Sequence, residues 1–304
     1  MWIWGHPGDT VEVALGPPFG PPVAACPAQD VLSLLVDPRS ALPTGVLVPE
    51  PGPPLAALAA GLAGAVPIPY PREGSRERAP DVAAIRRQLR DARGRCAPKV
   101  LWVVNPGGPS GPVLSLPSLL ALLSLAFEER LLLLADEVHQ EGSPSPFVSF
   151  RRALAEAGPP LCSSVQLVSF YSLSKGMAGG GIRAGFFDLV NVDRRVLRGF
   201  YTWGLSVYPP VLGMAMLDVA MDTPRAPHSA YGAMQEHRRA LSQSLSRNSQ
   251  WVPDVLAVAG AGPAAPPPLP KPFPAGTIPR DTEPGTAPRN PRDGGGLGGS
   301  IDGL

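Results

Sequence analysis

Between Lys99 and Val190 the chain repeats one pattern: a short apolar run, a polar or turn-forming break, then residues with a helical period. The runs are Lys99–Val104, Leu131–Ala135, Val165–Tyr171 and Ile182–Val190. The longest apolar stretches, Leu55–Pro69 and Leu116–Phe127, are too short or too interrupted to span a bilayer. Runs that are apolar at nearly every position must be covered on both faces, which is the situation of strands in a parallel sheet under helices. The intervening segments supply those helices. Val82, Ile85 and Leu89 fall three and four residues apart behind Asp81, Ser115 precedes an apolar helix over 116–130, and Ser149–Ala157 and the residues after Asp193 continue the series. Two further apolar runs, Gly45–Val48 and Ala65–Ile68, flank an Ala/Leu-rich helix over Leu55–Gly64. The expected fold is therefore α/β and three-layered: a mostly parallel sheet flanked by helices.

Composition sets the limits of that domain. The chain of 304 residues has 41 prolines and 34 glycines, about twice the usual share, concentrated before residue 80 and after residue 262. Residues 1–43 read as an irregular N-terminal segment, although Val31–Val36 can form a short helix. Residues 44–250 read as the folded domain, closing with one long polar helix over Ser229–Ser249. Residues 251–304 read as a disordered Pro/Gly-rich tail. The formal net charge of +1 gives no bulk attraction to nucleic acid or to an anionic membrane, so neither is expected as a partner. Three dispersed cysteines form neither a disulfide framework nor a metal-ligand pattern, so no metal is expected. The N-terminus shows no secretory signal, and a cytoplasmic, reducing location is the expectation.

Chemistry-bearing residues stand just past the ends of the predicted strands: Asn105, Asp136 and Lys175. In open α/β sheets ligands sit beyond the carboxyl ends of the strands. Only three lysines occur, Lys99, Lys175 and Lys271. Lys175 lies in Ser172-Leu173-Ser174-Lys175 and is followed by the glycines 179–181 and Arg183.

The order NPGGPSG, LLLLADEVHQ, SFYSLSKG, GGGIRAG resembles the large domain of the fold-type-I pyridoxal-phosphate aminotransferases. The phrases PKVLWVVNPG, FEERLLLLADEV and LVSFYSLSKG are most similar to the alanine aminotransferases. The resemblance covers about residues 23–250 and is strongest over 98–190. It implies pyridoxal 5'-phosphate as cofactor and Lys175 as the catalytic lysine that bonds the cofactor aldehyde and then moves the substrate's α proton. Asp136 is implied as the partner of the pyridine nitrogen, and Arg183, Ser172 and Ser174 as phosphate ligands. It further implies an amino acid and a 2-oxo acid as substrates, L-alanine and 2-oxoglutarate, and a homodimer.

Several positions depart from the family pattern. Gly108 stands where an asparagine reaches the cofactor's phenolic oxygen, and His139 where a tyrosine does so. His139 can donate a hydrogen bond in its place. Pro51–Ala56 replaces a segment with two tyrosines, one of which stacks on the cofactor. Val23-Ala24-Ala25 replaces a Gly-Ala-Ser phosphate turn. After Arg247 no motif matches the small C-terminal domain that clamps the substrate carboxylate, so that domain is expected to be missing. These departures point to an alternative: a catalytically impaired or inactive pseudoenzyme that binds the cofactor or dimerises, or a non-functional truncated copy.

Overall fold

The computed structural model describes residues 3–6, 10–15, 27–37, 39–71, 80–107, 113–142, 147–175, 184–204, 211–222, 224 and 226–258. In chain order the elements are β1 (Ile3–His6), β2 (Thr10–Leu15), α1 (Pro27–Leu35), β3 (Thr44–Glu50), α2 (Pro54–Leu62), β4 (Val66–Pro71), α3 (Val82–Ala92), β5 (Ala97–Val104), α4 (Leu116–Glu129), β6 (Leu132–Asp136), α5 (Phe150–Ala157), α6 (Leu161–Ser164), β7 (Leu167–Ser172), β8 (Gly185–Val190), α7 (Arg194–Gly204), α8 (Val211–Met221) and α9 (Tyr231–Val258).

The strands form one sheet in the order β1-β2-β8-β7-β6-β5-β3-β4. From β4 to β7 every pairing is parallel, and β8, β2 and β1 continue the sheet antiparallel. The parallel strands are separated in sequence by helices, as crossover connections require. β7 and β8 are joined by the short segment 173–184, and β8 returns antiparallel.

Strand alternation sends neighbouring residues to opposite faces, and here both faces are buried. Leu101, Val103, Leu133, Ala135 and Leu167 pack with Ile85 and Leu89 of α3, Leu119 and Leu122 of α4, and Phe150 and Leu154 of α5. On the other face Val100, Trp102, Val104, Leu134, Val168 and Phe170 pack with Leu32 of α1, Ala59 of α2 and Phe200 of α7. These are the expected three layers. The connection after β3 runs through α2 to β4 and the connection after β5 runs through α4 to β6, in opposite directions from neighbouring strands, so a crevice belongs at that switch, beyond the carboxyl ends of β3 and β5.

The helices begin where their polar caps stand. Asp81 Oδ1 accepts the Ala83 N–H at 2.8 Å, Ser115 Oγ accepts the Ser118 N–H at 3.4 Å, and Ser149 Oγ accepts the Arg152 N–H at 3.1 Å. Two segments differ from expectation. Residues 1–43, read as irregular, carry β1, β2 and α1; the alternation Val11, Val13, Leu15 suits a strand, which here pairs with β8 on one side and β1 on the other, and is obscured in the sequence by the prolines around it. The final helix reaches Val258, past the expected boundary at 250. The expected disordered tail beyond 258 lies outside the described residues. Among the described residues no helix is long and apolar enough to cross a membrane.

Candidate functional site

Three neighbouring strands, β5, β6 and β7, end together and bring their following residues to one edge of the sheet. Asn105 follows β5 and is fully buried. Its backbone N–H donates to the Asp136 carbonyl at 3.0 Å, and its Oδ1 accepts the Leu114 N–H at 2.9 Å. Asn105 therefore fastens both ends of the turn to β6, a structural task. Gly108 and the rest of 108–112 lie outside the described residues.

Asp136 closes β6, with Val104 beside it on β5 and Phe170 beside it on β7. It lies on the face that carries Trp102, Leu134 and Phe170. The residue keeps some exposure, yet its Oδ1 is sealed from solvent and has no hydrogen-bond partner. Burial pushes its carboxyl above the usual aspartate range; the Val138 N–H and the Trp102 indole pull it back down. Trp102 Nε1 approaches the carboxyl without completing a well-formed hydrogen bond, and is itself unpaired.

A buried carboxylate oxygen with no partner is unfavourable by about 1–3 kcal/mol or more. A protonated ring nitrogen would satisfy it. This donor set fits the pyridine end of pyridoxal phosphate.

The next residue, Glu137, is on the opposite face and is buried. Its Oε1 accepts the Phe150 N–H at 2.7 Å at the start of α5. Burial, and to a lesser degree the Asp136 charge, raises its pKa to about 8, against the Phe150 hydrogen bond. His139 is half-buried; burial first, and then the charge of Lys175, lowers its pKa. At neutral pH its imidazole is uncharged and presents one N–H donor. Two residues further, Glu141 Oε1 accepts the Tyr171 hydroxyl at 2.7 Å, tying this loop to β7. Tyr171 also stacks on Phe186, with ring centroids 5.1 Å apart.

β7 runs into a single 3-10 turn over Leu173–Lys175. Ser172 Oγ and Ser174 Oγ lie 2.7 Å apart, with Ser174 buried and Lys175 exposed at the end of the turn. The Leu173 N–H donates to the Ala184 carbonyl at 2.9 Å, which pins the far side of the loop. Arg183 and Val23–Ala25 lie outside the described residues. At the end of β3, Pro53 precedes α2 without a side-chain cap and Ala56 is buried; residues 51–56 include no aromatic side chain.

The structure thus gathers Asp136, His139, Ser172, Ser174 and Lys175 at one sheet edge. Sequence reasoning passed over Trp102, Glu137 and the Glu141–Tyr171 pair. The signal for Trp102 was present: two-residue alternation sets it on the face of Asp136, one strand away. Nothing local marks Glu137 as buried, because α5 covers it from thirteen residues downstream.

Residues 33–254 match the family model described as aminotransferase class I and II. Alanine aminotransferase 1 of Bos taurus is 38% identical over 231 residues, covering 74% of this chain and 47% of that one. A structure of alanine aminotransferase from Pyrococcus furiosus superposes with a TM-score of 0.62 at 17% identity, over 82% of this chain and 56% of that one. The PLP-bound C-S lyase from Staphylococcus hominis gives 0.56 at 16% identity, over 76% and 52%. These two likenesses concern the fold. The chain spans about half the length of the curated relatives it matches.

Proposed function

Because the chain belongs to the class I and II aminotransferase family, whose cofactor is pyridoxal 5'-phosphate, we propose that it binds this cofactor through Lys175 and transfers an amino group between L-alanine and 2-oxoglutarate. One observation carries the reading: the buried, unpaired Asp136 Oδ1 at the strand edge that also bears Lys175. When bound, the cofactor supplies an aldehyde for the amine and an electron-withdrawing ring. Lys175 Nζ holds the aldehyde covalently and, once displaced by substrate, takes and returns the proton at the substrate α carbon. Asp136 keeps the ring nitrogen protonated. Ser172, Ser174 and Arg183 bind phosphate, and the His139 N–H meets the phenolic oxygen. A homodimer and a reducing, cytoplasmic setting belong to the same reading; Cys96 and Cys162 are both free thiols.

A specific observation favours a second reading, a cofactor-binding relative without turnover. No aromatic side chain stands at Pro53 or Ala56, and Gly108 has no side-chain donor. Each absent hydrogen bond to a charged group removes about 1.5–3 kcal/mol, and about 1.4 kcal/mol is tenfold in rate.

An absorbance titration with pyridoxal phosphate tests the first step. The expected result is a visible band that sodium borohydride bleaches and that Lys175→Ala abolishes. A band that persists in Lys175→Ala, or no band at all, overturns cofactor binding at Lys175. A coupled alanine and 2-oxoglutarate assay then separates the readings: turnover above free cofactor supports the transaminase, and binding without it supports the non-catalytic relative.

A further inference from the structure

We propose that Trp102 is a positioning residue for Asp136: its buried indole N–H holds the carboxylate in place for a protonated ring nitrogen. The inference rests on the assignment of Asp136 to the cofactor ring. Trp102 sits on β5 opposite Leu134 of β6, so it is two residues from Val104, the residue paired with Asp136. Both side chains therefore lie on the same sheet face at a diagonal that an indole can bridge.

The ring has little freedom. It is 1% exposed and packs among Val100, Leu134 and Phe170. Its backbone is clamped as well, because the Tyr70 hydroxyl on β4 donates to the Trp102 carbonyl at 2.8 Å. An indole N–H can only donate, and this one has no well-formed acceptor. The carboxyl it approaches is Asp136, whose Oδ1 is also unpaired. Two complementary buried orphans on adjacent strands are costly separately, and a carboxylate has lone pairs enough to accept both the indole N–H and a ring N–H.

The need for such a donor is chemical. Burial favours the neutral acid at Asp136, and a neutral acid does not stabilise a protonated ring nitrogen. An N–H aimed at the carboxyl opposes that drift and fixes which oxygen faces the ring. Glu137 is the other titrating group whose charge couples to Asp136. It is present in every protein compared below, so it cancels.

The test uses Trp102→Phe, which keeps an aromatic ring and deletes the N–H, and Trp102→His, which restores a donor. In cofactor-free protein the Asp136 carboxyl is followed by carbon NMR, its signal assigned with Asp136→Asn. The expected result is a titration midpoint that moves upward in Trp102→Phe and returns toward wild type in Trp102→His. Cofactor affinity, read by absorbance, is expected to fall about tenfold in Trp102→Phe. An unchanged midpoint in folded Trp102→Phe overturns the proposal.

If neither variant folds, the native protein still decides. The Trp102 indole N–H resonance should shift with the Asp136 titration and lose that response in Asp136→Asn; a resonance indifferent to pH overturns the proposal. Failure of the native protein to bind cofactor refutes the assignment of Asp136 to the ring, while the carboxyl and indole titrations still report on the Trp102–Asp136 link.

Discussion

At the scale of single residues, Glu137 and Asp136 show how one peptide step separates two carboxyls by role. Asp136 ends on the face of Trp102 and looks out of the sheet edge; Glu137 turns under α5 and accepts the Phe150 N–H. With a pKa of about 8 against an ordinary 4.5, Glu137 keeps its proton in the folded chain and releases it on unfolding. Its contribution to stability is therefore complete below about pH 4.5 and is lost as pH rises through about 8. Denaturant unfolding between pH 5 and 8 should show stability falling, with up to about 1.4 kcal/mol per pH unit due to this group. Glu137→Gln, which keeps the acceptor for Phe150, should flatten that slope; an identical slope in the variant refutes the burial argument. The positions of Asp136 and Lys175 at strand ends were legible because the chain sets them just past apolar runs; His139 was reached only through the family resemblance. The burial of Glu137 was not, since it depends on a helix that the local sequence does not contain.

Single elements respond according to what covers them. Leu122 on α4 is fully buried against the sheet, and Leu122→Ala should cost about 2–5 kcal/mol in chemical denaturation. Arg86 on α3 pairs with Glu128 and Glu129 across to α4, yet it is partly solvated. Arg86→Ala should cost at most about 1 kcal/mol, and less in high salt. Gly185 on β8 faces a different constraint: a Cβ there would lie 2.4 Å from the Tyr171 carbonyl on β7. Gly185→Ala is expected to destabilise by about 1–3 kcal/mol and to disturb the adjoining Ser172–Lys175 turn, read as weaker cofactor absorbance than in Leu122→Ala at matched stability. β5, β6 and β7 were readable from their apolar runs and α3, α4 and α5 from period and caps. The antiparallel return of β8 and the β1–β2 edge were not, because a strand's direction is set by its connection and its partner.

For the whole molecule, the surface is as informative as the core. Val211, Leu212 and Val219 on α8 are 85, 74 and 70% exposed, and Leu58 and Leu62 on α2 are 57 and 60% exposed. Apolar surface of this kind marks contact sites or drives association. Sedimentation should show concentration-dependent association, and Leu212→Glu with Val219→Glu should reduce it while leaving the circular dichroism unchanged; a monomer at every concentration contradicts the homodimer reading. The sequence by itself determined the order of the strands and main helices from β3 to β8, the three-layer architecture and the residues at the strand ends. Those depend on alternation, helical period and turn chemistry, all written within a few residues. Only the tertiary structure decided that Trp102 comes beside Asp136 across two strands, that Glu137 is sealed under α5 and that Tyr171 holds Glu141. Each of these joins residues from different strands or loops, and their energies come from exclusion of water at a place the chain creates only when its sheet closes.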